Sequence, residues 1–333
     1  MSANLAEAIR LSALSLQKVV KQSIPLERAM PSEITDSEMR AAVQSILYTS
    51  LRQRVKTEII IEKLASHSPT SAVEGILSVA LALLLSNEDP HTVVNEAVKA
   101  AKASPETARA AGFVNALLRN YMRNRGHITK SYSAILSVRY GVPGWWLARV
   151  RKAYPDQWRE ILTVQNTHAP LTLRVNQAKI SVENYLEMAR KEGFDARQVG
   201  PWAVVLEPAC PVNKIPGFDQ GLCSVQDAGC QLVSQFLGLK GGERVLDACA
   251  APGGKSAQML ESADIDLTAM EIDPKRATRI TETLDRLGLK AKVVQGDATD
   301  FLLVRQQGPF DAIVLDAPCT ASGIVRRHPD IVW

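Results

Sequence analysis

Between Thr107 and Pro155 the chain contains no aspartate and no glutamate. The same stretch carries Arg109, Arg119, Arg123, Arg125, Lys130, Arg139, Arg149, Arg151 and Lys152. A cationic run without counter-charge of its own makes a local positive field, and such fields attract phosphates. The competing explanation is a solvated surface whose acidic partners lie elsewhere in the fold. Cysteine is scarce as well: Cys210, Cys223, Cys230, Cys249 and Cys319 include no CxxC pair, which argues against a zinc site, so no metal is expected. Their odd number suits a reducing cytosol better than a disulfide scaffold, and the expected location is cytoplasmic. Long apolar runs are missing too. The longest, Ile76 to Leu85, is interrupted by Ser78 and is too short to span a bilayer. Glu7 and the lack of an apolar core near the start argue against a signal peptide.

What is present is ordinary globular composition: 333 residues, 46 % apolar and 22 % charged, with a net charge of +4. Up to about Tyr140 the apolar residues recur at helical spacing, as in Val73, Ile76, Leu77, Ala80, Leu81 and Leu84. Asp89-Pro90 and Ser104-Pro105 read as helix starts, with a capping residue before a first-turn proline. The pattern breaks at Gly141-Val142-Pro143-Gly144, and a basic helix follows to about Lys152. Leu171 to Val175 alternates like a strand, Val182 to Glu192 reads as a helix, Ala203 to Leu206 as a strand and Asp227 to Leu237 as a helix. Beyond Gly241 strands alternate with helices: Arg244–Ala248, Leu267–Glu271, Lys292–Val294 and Phe310–Leu315 are the strands. That rhythm implies a parallel, doubly wound sheet. The expected architecture is multidomain, α followed by α/β. It comprises a helical bundle over residues 1–140, a small α/β module over 141–235 and an incomplete Rossmann-like domain over 236–333.

Asp247-Ala248-Cys249-Ala250-Ala251-Pro252-Gly253-Gly254-Lys255 sits where the first parallel strand turns into a helix. Small residues let backbone approach a ligand, and a helix start offers unpaired N–H groups to a carboxylate or phosphate. Gly254-Lys255-Ser256 matches the end of a P-loop, but the required earlier glycine is Cys249, and GxGxxG is absent, so ATP and NAD are disfavoured. Glu271 ends the second strand, where a carboxylate can accept ribose hydroxyls. Asp297 follows the third strand, in reach of an adenine amino group. Asp316-Ala317-Pro318-Cys319 ends the fourth strand on the same crevice. A thiolate adding to a pyrimidine makes the neighbouring ring carbon nucleophilic, so these residues alone point to Cys319 as attacking group, with Asp316 on the base edge. The base must leave its stack to reach such a pocket.

Val245 to Ser256, Asp316 to Cys319 and Ile324 to Asp330 together resemble the bacterial 16S ribosomal RNA cytosine-5 methyltransferase family. Val94 to Val98 and Gly112 to Arg119 resemble a NusB-type helical RNA-binding fold, and Leu173-Arg174-Val175-Asn176 with Ser224 to Asp227 is similar to that family's substrate-binding module. The resemblance covers essentially the whole chain. It implies S-adenosyl-L-methionine as cofactor, contacted by Cys249, Ala250, Ala251, Pro252, Gly253, Gly254, Lys255, Glu271, Asp297 and Asp316. Glu271 departs from the aspartate often found there. It implies 16S rRNA as partner; Arg119, Arg123, Arg125 and Arg174 are the expected RNA contacts, and a monomer is expected. It also changes the role of Cys319, which in this family helps resolve a covalent adduct formed by a cysteine in a later Thr-Cys-Ser motif. No such motif occurs within the 333 residues. The expectation is therefore an inactive or nearly inactive polypeptide, with Ala312–Leu315 as an exposed edge. Two other functions compete: a non-catalytic, antitermination-like RNA-binding protein with a degenerate tail, and a DNA cytosine methyltransferase using Cys319 as nucleophile. The helical front and the Gly-Gly-Lys loop argue against the DNA enzyme.

Overall fold

The computed structural model describes residues 4–333. By mutual contact the chain forms two compact units, Met1–His168 with Thr320–Trp333, and Ala169–Cys319.

The first unit is helical: α1 (Leu5–Gln22), α2 (Leu26–Ala29), α3 (Ser37–Leu64), α4 (Ser71–Leu85), α5 (Pro90–Lys102), α6 (Pro105–Ala108), α7 (Ala111–Tyr132), α8 (Leu136–Tyr140), α9 (Gly144–Ala153) and α10 (Trp158–Gln165). The helix α4 is apolar on nearly every face and is buried accordingly, packed by α1, α3, α5 and α7. Side-chain caps fix the starts: Asn4 accepts from the Glu7 N–H, Asp36 from Glu38 and Asp89 from Thr92. The break expected after Tyr140 spans Gly141 to Pro143. Gly141 takes φ +64°, and a Cβ there would lie 2.8 Å from the Arg52 carbonyl oxygen, so only glycine fits the turn into α9. A satellite core joins Tyr140, Val142, Trp146, Val150, Trp158 and Leu162 to Val325 and Val332 of the last segment. That segment is also tied by hydrogen bonds, from the Leu26 N–H to Asp330 Oδ2 at 3.1 Å and from the Arg52 guanidinium to the Arg326 carbonyl at 3.0 Å. The sequence pattern had not revealed α10.

The second unit carries two sheets. The first is antiparallel, ordered β2-β3-β1-β4, with β1 (Leu171–Val175), β2 (Asp195–Gln198), β3 (Ala203–Glu207), β4 (Cys223–Val225) and α11 (Val182–Lys191) packed on β2 and β3. Leu173 and Val175 face the core beneath α11 with Tyr185, Val204 and Leu206. The helix expected over 227–237 is broken into a 3-10 turn, Gly229–Leu232, and the short α12 (Val233–Leu237). The Gln231 side chain explains the break: its amide donates to the carbonyls of Leu173 and Gln226, pinning the turn to β1.

The second sheet is parallel, in the order β7-β6-β5-β8, with β5 (Arg244–Asp247), β6 (Asp266–Glu271), β7 (Lys292–Gln295) and β8 (Ala312–Val314). The helices α13 (Gly254–Ser262) and α14 (Pro274–Leu287) cover the face of Val245, Leu267 and Ala269, while α15 (Phe301–Gln306) lies on the side of Leu246 and Met270. Alternation along β5 sends Val245 to one layer and Leu246 to the other, as a sheet covered on both faces requires. The strand β8 is an edge of this sheet, and Ile313 and Leu315 are exposed. No helix is long and apolar enough to cross a membrane among the described residues.

Candidate active site at the carboxyl edge of the parallel sheet

Register aligns the four strand ends. Asp247 lies opposite Ala269 and Val314, and Glu271 opposite Gln295. Four loops therefore leave one rim side by side, in the order Asp297, Glu271, Cys249–Lys255 and Asp316–Cys319. Ligands of open parallel sheets bind on this rim.

The loop after β5 is braced from several directions. The Ala248 N–H donates to Val314 and that of Ala250 to Met270, so the loop begins as an extension of the sheet. On α14, Thr283 Oγ1 donates to the Pro252 carbonyl at 2.7 Å and Arg276 to that of Ala251 at 3.3 Å. Gly253 caps α13 with φ +95°, and a Cβ there would sit 3.3 Å from the Ile280 Cα. Left-handed backbone and close approach to α14 both demand glycine. The first turn of α13 then presents the N–H groups of Gly254, Lys255 and Ser256, which precede the helical ladder that starts with Ala257 to Gly253 at 2.8 Å. These groups suit an anionic ligand, and the small side chains before them leave it room.

Glu271 is 4 % exposed. Its Oε1 accepts from the Asp273 N–H at 3.1 Å and lies 3.5 Å from the Arg276 guanidinium, which holds the carboxylate at the strand end. Asp297 closes its own loop: Oδ1 accepts from both the Thr299 N–H and hydroxyl at 2.8 Å, and these bonds hold its carboxyl below the usual range. Asp316 is exposed and pairs with Lys255, Oδ2 to Nζ at 2.5 Å, bridging the loops after β5 and β8. Cys319 is exposed, three residues further on. Cys249 is half-buried, and its thiol is pushed up first by burial and then by the charge of Glu271.

The sequence had passed over Asp247. It is buried, its Oδ2 accepts from Ser256 Oγ at 2.7 Å, and its Oδ1 has no hydrogen-bond partner. Burial pushes its carboxyl up, so the strand end beneath the loop is a charge-averse position. The terminal acid of the motif was visible; its isolation was not, because burial depends on α13 folding over it.

Among the expected RNA contacts, Arg119, Arg123 and Arg125 are exposed on α7. Arg119 and Arg123, one turn apart, lie opposite the buried stripe of Val114, Leu117, Tyr121 and Ile128. Arg125 sits elsewhere on the helix and donates to Asn87 Oδ1 at 3.2 Å. Arg174 does not belong with them. It is 2 % exposed, pairs bidentately with Glu261 of α13 at 2.9 Å, and donates to the Gly254 carbonyl at 2.8 Å and to the Gln226 amide oxygen. The reason is topological: β1 lies between β3 and β4, with Leu173 and Val175 facing one core, so Arg174 faces the other covered side, against α13. No cluster of three His, Cys, Asp or Glu side chains able to hold a metal occurs among the described residues.

Family models match in three places: NusB family over residues 6–123, an RsmF/B-like ferredoxin-like domain over 142–213, and 16S rRNA methyltransferase RsmB/F over 234–333. A ribosomal RNA small subunit methyltransferase B of Escherichia coli O6:H1 is 36 % identical over 97 % of this chain and 77 % of its own length. A protein of the same name from Vibrio vulnificus is 38 % identical over 96 % of this chain and 76 % of its own. The solved structure described as PH0851 superposes with a TM-score of 0.75 at 21 % identity, covering 98 % of this chain and 77 % of that one, which is a likeness of fold.

Proposed function

This chain belongs to the 16S rRNA methyltransferase RsmB/F family, and on that premise we propose methyl transfer from S-adenosyl-L-methionine to carbon 5 of a cytosine in 16S rRNA. The observation that carries the reading is the row of four loops on one sheet edge, each offering a group of the right chemistry.

The N–H groups at the start of α13 receive the methionine carboxylate, with Cys249 to Gly253 as the small-residue wall against which the cofactor lies. Glu271, braced by Arg276, accepts the ribose hydroxyls, and Asp297 accepts the adenine amino group. When bound, the cofactor supplies an electrophilic methyl group on a sulfonium. Lys255 and Asp316 act at the other end. Their ion pair fixes a carboxylate at the mouth, where it can hold the Watson–Crick edge of a base drawn out of its stack. Asp316 also borders the cofactor. The ring becomes nucleophilic at carbon 5 only while a thiol is bonded to carbon 6. After transfer, the proton on carbon 5 must leave so that the carbon–sulfur bond breaks, and Cys319 is the thiol that assists this release. An adduct with 5-fluorocytosine RNA that mapped to Cys319 itself would contradict that role. The groups assigned to cofactor and base all come from one copy, so binding needs no second copy, while the thiol that attacks carbon 6 is assigned to no residue of this chain. The modules are bounded near residues 140 and 235.

Calorimetry tests the cofactor site. The chain binds S-adenosylmethionine, and Glu271→Ala weakens binding by about ten- to a hundredfold, the value of losing charged hydrogen bonds. Tight ATP binding with no response to S-adenosylmethionine would overturn the assignment.

A further inference from the structure

The acid-free stretch continues past α7 into α9, which no sequence motif or family description ties to a ligand. Its buried face is Trp146, Leu147 and Val150. Trp145, Arg149 and Lys152 stand at i, i+4 and i+7 on the opposite, exposed face, so one helix presents an aromatic ring and two cations in a single stripe. Arg149 and Lys152 make no ion pair among the described residues.

Trp145 is unlike the other tryptophans. Trp146 is buried and donates its indole N–H to Gln165 at 3.0 Å, and Trp158 is buried with the guanidinium groups of Arg151 and Arg159 over its ring at 5.1 and 4.4 Å. Trp145 is 51 % exposed, and its recorded ring contact is edge-on to Trp146, with centroids 5.5 Å apart and planes at 83°. An exposed indole offers a flat π face on which a base can stack. Contact with an anchored neighbour also holds the ring in place, so little freedom is lost when a partner stacks on it.

We propose that this face of α9 binds unpaired RNA, with Trp145 stacking on a base and Arg149 and Lys152 on the flanking phosphates. The occupant follows from charge and shape together. The stripe is cationic and lies within the stretch from Thr107 to Pro155 that holds no acid, which favours a polyanion. A half-exposed indole adds nothing to binding of a paired helix, whose bases are stacked inside, but contributes to binding of single-stranded bases through their π faces. The inference deepens the rRNA reading above and rests on it, while concerning the helical unit rather than the unit that carries the parallel sheet.

The test uses the full chain and fluorescein-labelled RNA in two forms, a hairpin with an unpaired pyrimidine loop and a fully paired duplex of the same stem. Trp145→Ala weakens hairpin binding by about tenfold and leaves duplex binding unchanged, and Trp145→Phe restores most of the loss because a phenyl ring also stacks. Arg149→Gln with Lys152→Gln weakens both RNAs and flattens the salt dependence by roughly one to two units of slope. Circular dichroism and S-adenosylmethionine calorimetry on the same variants stay at wild-type values. Equal hairpin affinity for wild type and Trp145→Ala, or an equal loss on the duplex, overturns the proposal and leaves the methyltransferase reading intact. A wild-type chain that binds neither RNA yet binds S-adenosylmethionine overturns both this surface and the RNA substrate.

Discussion

The acid-free stretch and the sheet rim use charge in opposite ways. From Thr107 to Pro155 the cations are exposed and form no ion pair among the described residues. Around the rim, cations meet carboxylates: Lys255 with Asp316, Arg276 with Glu271 and, behind the loop, Arg174 with Glu261. An unpaired cationic surface takes its counter-charge from outside, which is how a protein holds a phosphate chain. Pairing within the rim instead fixes the position of each acid, which is what recognition of one small molecule requires. The same residue type, arginine, serves both purposes, and a carboxylate within reach decides which.

The sharpest way to break this contrast is at Arg174. Arg174→Ala leaves Glu261 almost buried without its partner, and a cost of about 3–5 kcal/mol is expected in urea unfolding. Its bond to the Gly254 carbonyl also disappears, so S-adenosylmethionine affinity falls with it. RNA affinity of the molecules that remain folded stays unchanged, because this arginine does not face solvent. The same unit supplies a pH test. Burial pushes the Cys223 thiol from 9.0 up to about 11. Between these values the unfolded chain loses a proton that the folded chain keeps, so stability falls as pH rises through that window. The fall is roughly 2 kcal/mol from this group, and Tyr185, pushed up by the same burial, steepens it above its ordinary value of 10.0. Urea midpoints measured across the window should decline less steeply in Cys223→Ala. Gly253→Ala sharpens the rim itself. The left-handed backbone and the nearby Ile280 Cα imply a loss of about 1–2 kcal/mol in stability, with weaker cofactor binding by calorimetry. The smallest effect on folding belongs to the cationic surface. Arg119→Gln with Arg123→Gln changes stability by less than about 0.5 kcal/mol. The same pair lowers RNA affinity and reduces its salt slope, seen by titration at several salt concentrations.

Much of this was legible before folding. The parallel strands and the Asp89-Pro90 helix start follow from periodicity and turn chemistry, which act locally. What stayed hidden depends on distant partners. Arg174 reads as an ordinary polar residue on an alternating strand, and only the packing of α13 over β1 turns it into a buried ion pair. The short strand Asp195–Gln198 has a single buried residue, Ala196, so no alternation announces it. The segment Thr320–Trp333 reads as a continuation of the sheet domain, yet its contacts assign it to the helical unit through Val325, Val332 and Asp330. Exposure of Trp145 beside buried Trp146 could be inferred only once α9 was known to bury one face.

The measurement that bears most directly on the account is ultraviolet cross-linking of methyl-labelled S-adenosylmethionine to the chain, followed by peptide mapping. Label is expected in the peptides holding Cys249–Lys255, Glu271 or Asp316–Cys319, and is lost on competition with S-adenosylhomocysteine. Label confined to the helical unit, or displaced by ATP and untouched by S-adenosylhomocysteine, would contradict it.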